Sequence, residues 1–332
     1  MFEKIVSLGN LFSAWREFSL GKMKKADVLE FKLNLEGNLF ELRRELREKT
    51  YRHSHYTAFS VCDPKLRRIH KACVKDRVLH HAVFRILYPI FDKSFIFDSY
   101  SCRIGKGTHR AVVRLGKYCR KLSRNNTKNI FVLKCDVRKF FDSIDQDILL
   151  ELIRKKICDK DVLRLIGEII RSFELGLPLG NVTSQLFANI YLNRLDQFVK
   201  QELKEKYYLR YCDDFLILSK DEEHLEKLIY PIREFLKKKL GLDLHPDKII
   251  IRKFRQGIDF LGYVVLPHHT VLRTKTKRRT LSRIKGKKFL SREDLISEEK
   301  FNQSLQSYLG ILTHCKGYNI RKQIGKITGF DL

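Results

Sequence analysis

Apolar positions recur along the chain in two rhythms, and the switches between them predict where helices and strands alternate. Between residues 24 and 48, Phe31, Leu35, Leu39, Leu42 and Leu46 fall at helical spacing with charges between them, which predicts an amphipathic helix in a helical N-terminal extension over residues 1–50. Trp15 and the residues before it give no usable pattern. Residues 130–135 (IFVLKC) are a short apolar run ending at Asp136, the pattern of a buried strand whose end delivers a carboxylate. Helical stretches are expected around 146–158 and 160–173, then a loop over 175–181. The next helix is expected to start at Thr183 or Ser184, both good N-caps, with Leu186, Phe187, Ile190, Tyr191, Leu195, Phe198 and Val199 on one side. Residues 207–219 (YYLRYCDDFLILS) are two β-prone halves about a central Asp-Asp, which predicts a hairpin. Residues 221–240 open with Asp221, Glu222 and Glu223 and close with Lys237, Lys238 and Lys239, the charge order that suits a helix dipole, although Pro231 should kink or interrupt it. Further strands are expected at 249–251 and 260–266.

The order strand, helix, hairpin, helix, strand matches a split βαββαβ sheet with helices on one face, so the fold class is α+β. Upstream, residues 51–129 are rich in Lys, Arg and His and contain the turn-like Asp63-Pro64 and Gly105-Lys106-Gly107, which suggests a basic subdomain of short helices and strands.

Charge changes this picture. Among 332 residues there are 67 Lys and Arg against 39 Asp and Glu, a net +28 that exceeds what solubility needs and points to a polyanionic partner, nucleic acid first. Residues 260–292 contain no acid, and 273–288 hold nine basic residues in sixteen, a density better placed against phosphates than against bulk water. With 43% hydrophobic and 11% aromatic residues the chain has ample material for a core, which excludes disorder. The eight cysteines show no paired or zinc-finger spacing, so reduced, mostly buried thiols are expected. His53/His55, His80/His81 and His268/His269 lack the Cys or carboxylate spacing that would complete a metal site. The N-terminus does not read as a secretory signal, and the longest uncharged run, 175–193, contains Gly, Pro, Asn and Gln and does not read as a membrane helix. A cytoplasmic setting without membrane contact is expected.

Asp136 at a strand end and Asp213-Asp214 in a hairpin are the candidate chemistry. Neighbouring strand residues face opposite ways, so an Asp-Asp pair acts jointly only where the backbone turns. An isolated Asp-Asp is commonly just a polar turn. If the two strands are neighbours, however, three carboxylates converge, and their mutual repulsion makes sense with divalent cations between them. Two Mg²⁺ ions are the expected cofactor, lowering the pKa of an attacking 3′-hydroxyl and stabilising a leaving pyrophosphate.

The surrounding motifs carry a family resemblance. LKCDVRKFFDSID around Asp136, GLPLGNVTSQLFANIYLNRLD at 176–196, RYCDDFLILS at 210–219, LHPDK at 244–248 and FLGY at 260–263 resemble, in order, palm motifs A to E of reverse transcriptases. The likeness extends upstream through DPKLRRI at 63–69, KDRVLHHAV at 75–83 and DSYSCRIGKGTHRA at 98–111. It implies a right-hand polymerase with a ferredoxin-like palm: fingers over 51–130 with further elements around 146–178, palm over 131–268 and a basic helical thumb over 269–332.

The resemblance also implies roles. Asp136, Asp213 and Asp214 match the metal-binding carboxylates, and Lys248 the lysine that protonates pyrophosphate. Phe141 matches the steric gate that favours dNTPs. Lys65, Arg67 and Arg68 resemble the residues that hold the triphosphate, and Gly180 and Gln185 match a motif approaching nucleotide and template. Arg103 and Lys106 would follow a template or primer backbone. Phe260, Leu261, Gly262 and Tyr263 resemble the primer grip, and Lys277, Arg278 and Arg279 lie in the basic thumb. LGNVTSQ at 179–185 looks like the motif of diversity-generating retroelement enzymes, which implies cDNA made from a template-repeat RNA, errors at adenines and an accessory variability determinant protein as partner. The alternatives are a reverse transcriptase of another bacterial lineage, intron-derived or phage-defence, or a catalytically idle RNA-binding scaffold.

Overall fold

A computed structural model describes residues 1–62 and 66–330. In chain order its elements are α1 (Phe2–Ile5), α2 (Leu8–Ser19), α3 (Ala26–Leu33), α4 (Leu35–Arg47), β1 (Thr57–Cys62), β2 (Leu66–Lys71), α5 (Val74–Asp92), α6 (Thr108–Leu122), β3 (Phe131–Asp136), α7 (Phe140–Ser143), α8 (Gln146–Arg154), α9 (Lys160–Arg171) and α10 (Val182–Gln197). There follow β4 (Tyr208–Tyr211), β5 (Asp214–Ser219), α11 (Glu222–Leu240), β6 (Ile250–Lys253), β7 (Ile258–Phe260), β8 (Tyr263–Val265), β9 (Thr270–Leu272), α12 (Thr274–Arg292), α13 (Glu298–Leu312) and α14 (Tyr318–Thr328).

The central sheet has the order β4-β5-β3-β6, with all three pairings antiparallel. With α10 and α11 as the crossovers, this is the strand order of a split βαββαβ unit. Alternation along the strands divides the core in two. Leu133, Cys135, Phe215 and Ile217 face α10 and α11, whereas Val132, Leu209, Leu216 and Leu218 face the other way, towards α6 and the β7–β9 unit. Helices therefore cover both faces, not one as the pattern suggested. α6 fills the second face because Ala111, Val112, Leu115 and Cys119 make an apolar stripe along it. Each fully buried Leu or Val here contributes roughly 1.5–3 kcal/mol.

Several local expectations change for identifiable reasons. The helix expected over 24–48 is two helices, broken where Asn34 leaves helical geometry (φ −124°, ψ 50°) and Asn38 Nδ2 caps the Phe31 carbonyl at 2.9 Å. α10 starts with Asn181 as N-cap, and Thr183 and Ser184 lie buried inside it. α11 runs unbroken through Pro231, capped by the Asp221 side chain and ended by Gly241 in the left-handed region. The strand expected over 260–266 is two strands joined by a turn at Leu261-Gly262. Residues 51–129 hold one hairpin and the long helices α5 and α6 rather than short elements. Trp15, silent in the sequence, is buried on α2 and stacks on Phe31 at 5.3 Å. All eight cysteines are free thiols, but only Cys119 and Cys135 are buried, so the expectation of mostly buried thiols fails. Among the described residues no helix is long and apolar enough to cross a membrane.

Candidate active site

β3 brings Asp136 to the end of the central sheet, where the register sets it directly opposite Asp214, the first residue of β5. The turn from β4 to β5 has only two residues, Cys212 and Asp213, so Asp213 sits at the tip beside Asp214. Cys212 takes φ +55°, a conformation that a two-residue hairpin needs and a non-glycine residue adopts only at some cost. The Val137 amide donates to the Asp213 carbonyl at 3.3 Å and the His245 amide to the Asp136 carbonyl at 2.8 Å, which ties the turn, β3 and the segment before β6 together.

A group that the sequence reading passed over holds this turn. Arg210 on β4 is fully buried and forms a bidentate pair with Asp196 of α10, Nε to Oδ1 at 2.7 Å and Nη2 to Oδ2 at 2.6 Å. Its Nη1 donates to the Cys212 carbonyl at 3.0 Å, and the Tyr208 hydroxyl donates to Asp196 at 2.7 Å. The signal lay in RYCDD itself: an Arg at an inward position of an apolar strand requires a buried acid, and Asp196 ends the apolar face of α10.

Burial first, and then the charge of Asp136, push the Asp213 carboxyl above its ordinary range. For Asp214, burial raises the value to about 6; Lys134 opposes this, while Asp136 and Asp213 add to it. Positive charge comes from two lysines, with Lys248 Nζ at 2.6 Å from Asp136 Oδ1 and Lys134 Nζ at 3.8 Å from Asp214 Oδ1. Lys134 was not singled out in the sequence. Its Nζ also reaches the Asp259 carbonyl at 3.3 Å, across a groove of about 210 Å³ between the sheet and β7. Among the described residues no set of three His, Cys, Asp or Glu side chains is gathered closely enough to cage a metal. The donor chemistry nonetheless fits a hard divalent cation, since three carboxylates meet at one sheet end, where burial and neighbouring negative charge disfavour ionisation of Asp213 and Asp214.

Phe141 stands behind this cluster at the start of α7, half-buried, with Phe140 in the core. With Gln185, Asn189, Arg210 and Cys212 it closes on a cleft of about 10 Å³. Its carbonyl accepts from the Leu177 amide at 2.8 Å, an approach that Gly176 permits: at φ +66°, a Cβ there would lie 2.1 Å from the Phe141 oxygen. Gly180 has φ +118°, with Ile69 of β2 against it, and the His70 amide donates to the Leu179 carbonyl at 3.2 Å, so the β1–β2 hairpin is fastened to the loop before α10. Arg67 and Arg68 are exposed on β2, and Lys65 lies outside the described residues.

The remaining candidates divide. Arg103 points inward, with only 6% of its side chain exposed, and donates to Asp92 at 2.6 Å and to the Ile96 and Ser99 carbonyls. It organises its own loop and offers no charge to a passing strand, which corrects its assignment as a backbone contact. Lys106 donates to the Phe97 carbonyl at 2.8 Å and covers the Phe97 ring. Phe260 and Tyr263 are buried, flanking the Leu261-Gly262 turn, and the Tyr263 hydroxyl donates to the Ile311 carbonyl of α13 at 3.1 Å. Lys277, Arg278 and Arg279 lie on α12, with Arg278 exposed and the other two partly covered.

A family model described as reverse transcriptase (RNA-dependent DNA polymerase) matches residues 62–265. The chain is 25% identical over 293 residues to the group II intron-encoded protein LtrA of Lactococcus lactis subsp. cremoris, covering 66% of this chain and 48% of that protein. It is 33% identical over 142 residues to the retron Ec73 reverse transcriptase of Escherichia coli, covering 39% and 44%. It is 25% identical over 243 residues to the protein YkfC of E. coli, covering 60% and 63%. The chain thus spans less than two thirds of the length of each of these relatives. In fold it is similar to apo telomerase from Candida tropicalis, with a TM-score of 0.55 at 12% identity, covering 84% of this chain and 59% of that one.

Proposed function

The chain belongs to the reverse transcriptase (RNA-dependent DNA polymerase) family, and from that premise we propose that it is an RNA-directed DNA polymerase whose centre is Asp136, Asp213 and Asp214. The observation that carries this reading is the register that sets Asp136 opposite Asp214 with Asp213 in the adjoining two-residue turn.

In the proposed reaction the primer 3′-hydroxyl gives up its proton to solvent, its oxygen bonds to the α-phosphorus of a dNTP, the bond from that phosphorus to the bridging oxygen breaks and pyrophosphate leaves. Two Mg²⁺ ions, which the three carboxylates would hold, would lower the 3′-hydroxyl pKa and neutralise the negative charge developing on the leaving pyrophosphate. Lys248, whose Nζ lies 2.6 Å from Asp136 Oδ1, would donate a proton to the leaving pyrophosphate. Phe141 would lie under the sugar and exclude a 2′-hydroxyl, a role supported by its place beside Gln185 and Cys212 on the small cleft. Arg67 and Arg68, with Lys65, would neutralise the triphosphate, and Gly180 and Gln185 would approach base and template. Residues 260–263 would seat the primer end, and Lys277, Arg278 and Arg279 of α12 would face the duplex backbone. In this reading residues 1–50 are an N-terminal extension, 51–130 fingers with further fingers elements around 146–178, 131–268 palm and 269–332 thumb.

The finer proposal is a cytoplasmic enzyme of a diversity-generating retroelement. It would copy a template-repeat RNA with errors at adenines, alongside an accessory variability determinant protein. LGNVTSQ at 179–185 supports it. A second reading, an enzyme of intron or retron type, is favoured by the names of the curated relatives. The test is primer extension on defined RNA with Mg²⁺ and either dNTPs or rNTPs, with and without the accessory protein, followed by product sequencing. Incorporation of dNTPs with adenine-directed errors is expected. Use of rNTPs alone would overturn the gate assignment to Phe141, and faithful copying of adenines under every condition would favour the second reading.

A further inference from the structure

Residues 99–135 contain ten Lys and Arg and no Asp or Glu. α6 lies in this stretch. It buries Ala111, Val112, Leu115 and Cys119 and turns Arg110, Val113, Arg114 and Lys117 outward, so its apolar stripe is spent on the sheet while its basic stripe meets solvent. Arg114 is neutralised by Asp98 at 2.7 Å, whereas among the described residues Arg110 donates to the Gly105 carbonyl and Lys117 has no acidic neighbour within ion-pair distance. Beside this face Phe97 is 65% exposed, with Lys106 Nζ 3.4 Å and the Arg114 guanidinium 5.1 Å from its ring centroid, and α6 and the turn after α13 enclose a groove of about 300 Å³ between them. The far wall is His314, stacked on His109 with ring centroids 3.6 Å apart. Thr108, at the start of α6, ties the helix to the strand that leads to the Cys212-Asp213 turn, its Oγ1 lying 3.1 Å from the Tyr211 hydroxyl.

We propose that this groove binds an unpaired segment of RNA, with Arg110 and Lys117 against two phosphates of one strand and Phe97 beneath a base. Exposed cations alone suit any polyanion. An exposed aromatic ring beside them suits one whose bases are free to stack, which a duplex cannot offer. The inference goes beyond the polymerase reading and rests on it for the choice of RNA as ligand.

The test uses the full chain and a labelled, unstructured RNA of about 20 nucleotides, without Mg²⁺ or dNTPs, followed by fluorescence anisotropy across salt concentration. Replacing both Arg110→Ala and Lys117→Ala is expected to weaken binding about tenfold and to flatten the slope of log affinity against log salt by about 1.4, two single-strand phosphate contacts' worth. Phe97→Ala is expected to weaken it roughly five- to hundredfold with the slope unchanged, and to leave binding of an RNA duplex unmoved. The comparison pair Lys237→Ala with Lys239→Ala, exposed on α11, removes the same charge and should stay within about twofold. Equal losses from the two pairs, or a Phe97→Ala protein of unchanged thermal midpoint that binds single strands as the parent does, would overturn the site. Because the assay contains no chemistry, a chain that makes no cDNA still reports on the groove, so the two readings fail separately.

Discussion

The turns at Cys212-Asp213 and Leu261-Gly262 both join antiparallel strands with two residues, and both need positive φ: +55° at Cys212, and +51° and +87° at Leu261 and Gly262. Each places a non-glycine residue, Cys212 or Leu261, in the left-handed region, and the first is held through the Cys212 carbonyl by the buried Arg210–Asp196 pair. The second has glycine where φ is most positive, is held by the Arg273 amide donating to the Gly262 carbonyl at 3.0 Å, and is flanked by buried Phe260 and Tyr263. A tip that presents a carboxylate among like charges must be fixed from behind by something that does not compete for that carboxylate, and a fully paired arginine does this. A tip that presents backbone and apolar surface needs only packing and a glycine.

The largest expected effect comes from removing what the first tip presents. Asp213→Asn or Asp136→Asn should lower primer extension about 10³-fold or more while RNA binding persists. Extension at near-parent rates would show that the first tip is merely a polar turn, no different in kind from the second.

Next comes the support behind the tip. Arg210→Leu leaves the Asp196 carboxylate buried without its partner and should cost about 3–5 kcal/mol in urea unfolding. Arg210→Lys keeps the charge but loses the planar fork, so it should retain much of the stability and lose kcat more than KM, because the Cys212 carbonyl is no longer held. No single residue behind the Leu261-Gly262 turn should show that split. If Arg210→Lys extends primers normally, the buried pair is structural only.

Smaller effects of opposite sign should distinguish the turns themselves. Gly262→Ala forces an L-residue to φ +87° and should destabilise by about 1–2 kcal/mol. Cys212→Gly relieves strain but loosens the unfolded chain and removes packing, so it should change stability by less than about 1 kcal/mol. A loss in Cys212→Gly as large as in Gly262→Ala would show that the thiol, not the backbone, shapes the first turn.

The carboxylates and both flanking strands of the first hairpin were legible because a β-prone run ending or centred on Asp is a local pattern. That Asp136 lies opposite Asp214 is a matter of register between strands far apart in the chain, which local patterning leaves open. The second hairpin was hidden because FLGYVVL is uniformly apolar and its turn carries Leu where Asn usually announces one. Arg103 and Lys117 look alike as basic residues near glycine or in a helix. Only the positions of Asp92 and of two carbonyls decide that the first turns inward. Gly176 likewise reads as an ordinary loop glycine until the Phe141 carbonyl is seen against it.

Mild acid should pull the two halves of the fold apart in stability. On α5, burial, and then His53, hold His80 down to about 3, and burial, and then Lys22, hold His81 down to about 4. Each favours its neutral form in the folded chain, so the stability it contributes is complete above the unfolded value near 6.5 and is lost as pH falls from there towards 4 and 3. Asp213 and Asp214 run the other way. Their raised values mean that the folded chain binds their protons first, so in EDTA the repulsion among the carboxylates eases as pH drops, for Asp214 through about 6. Arg210 keeps its charge throughout. Hydrogen exchange in EDTA at pH 7 and 5.5, corrected for intrinsic rates, should therefore show opening of α5 and the packed α2 become easier by on the order of 1 kcal/mol, while β4 and β5 hold or tighten. If protection of residues 208–219 falls in step with α5, the hairpin is not locked independently by Arg210, and the contrast between the two turns loses its cause.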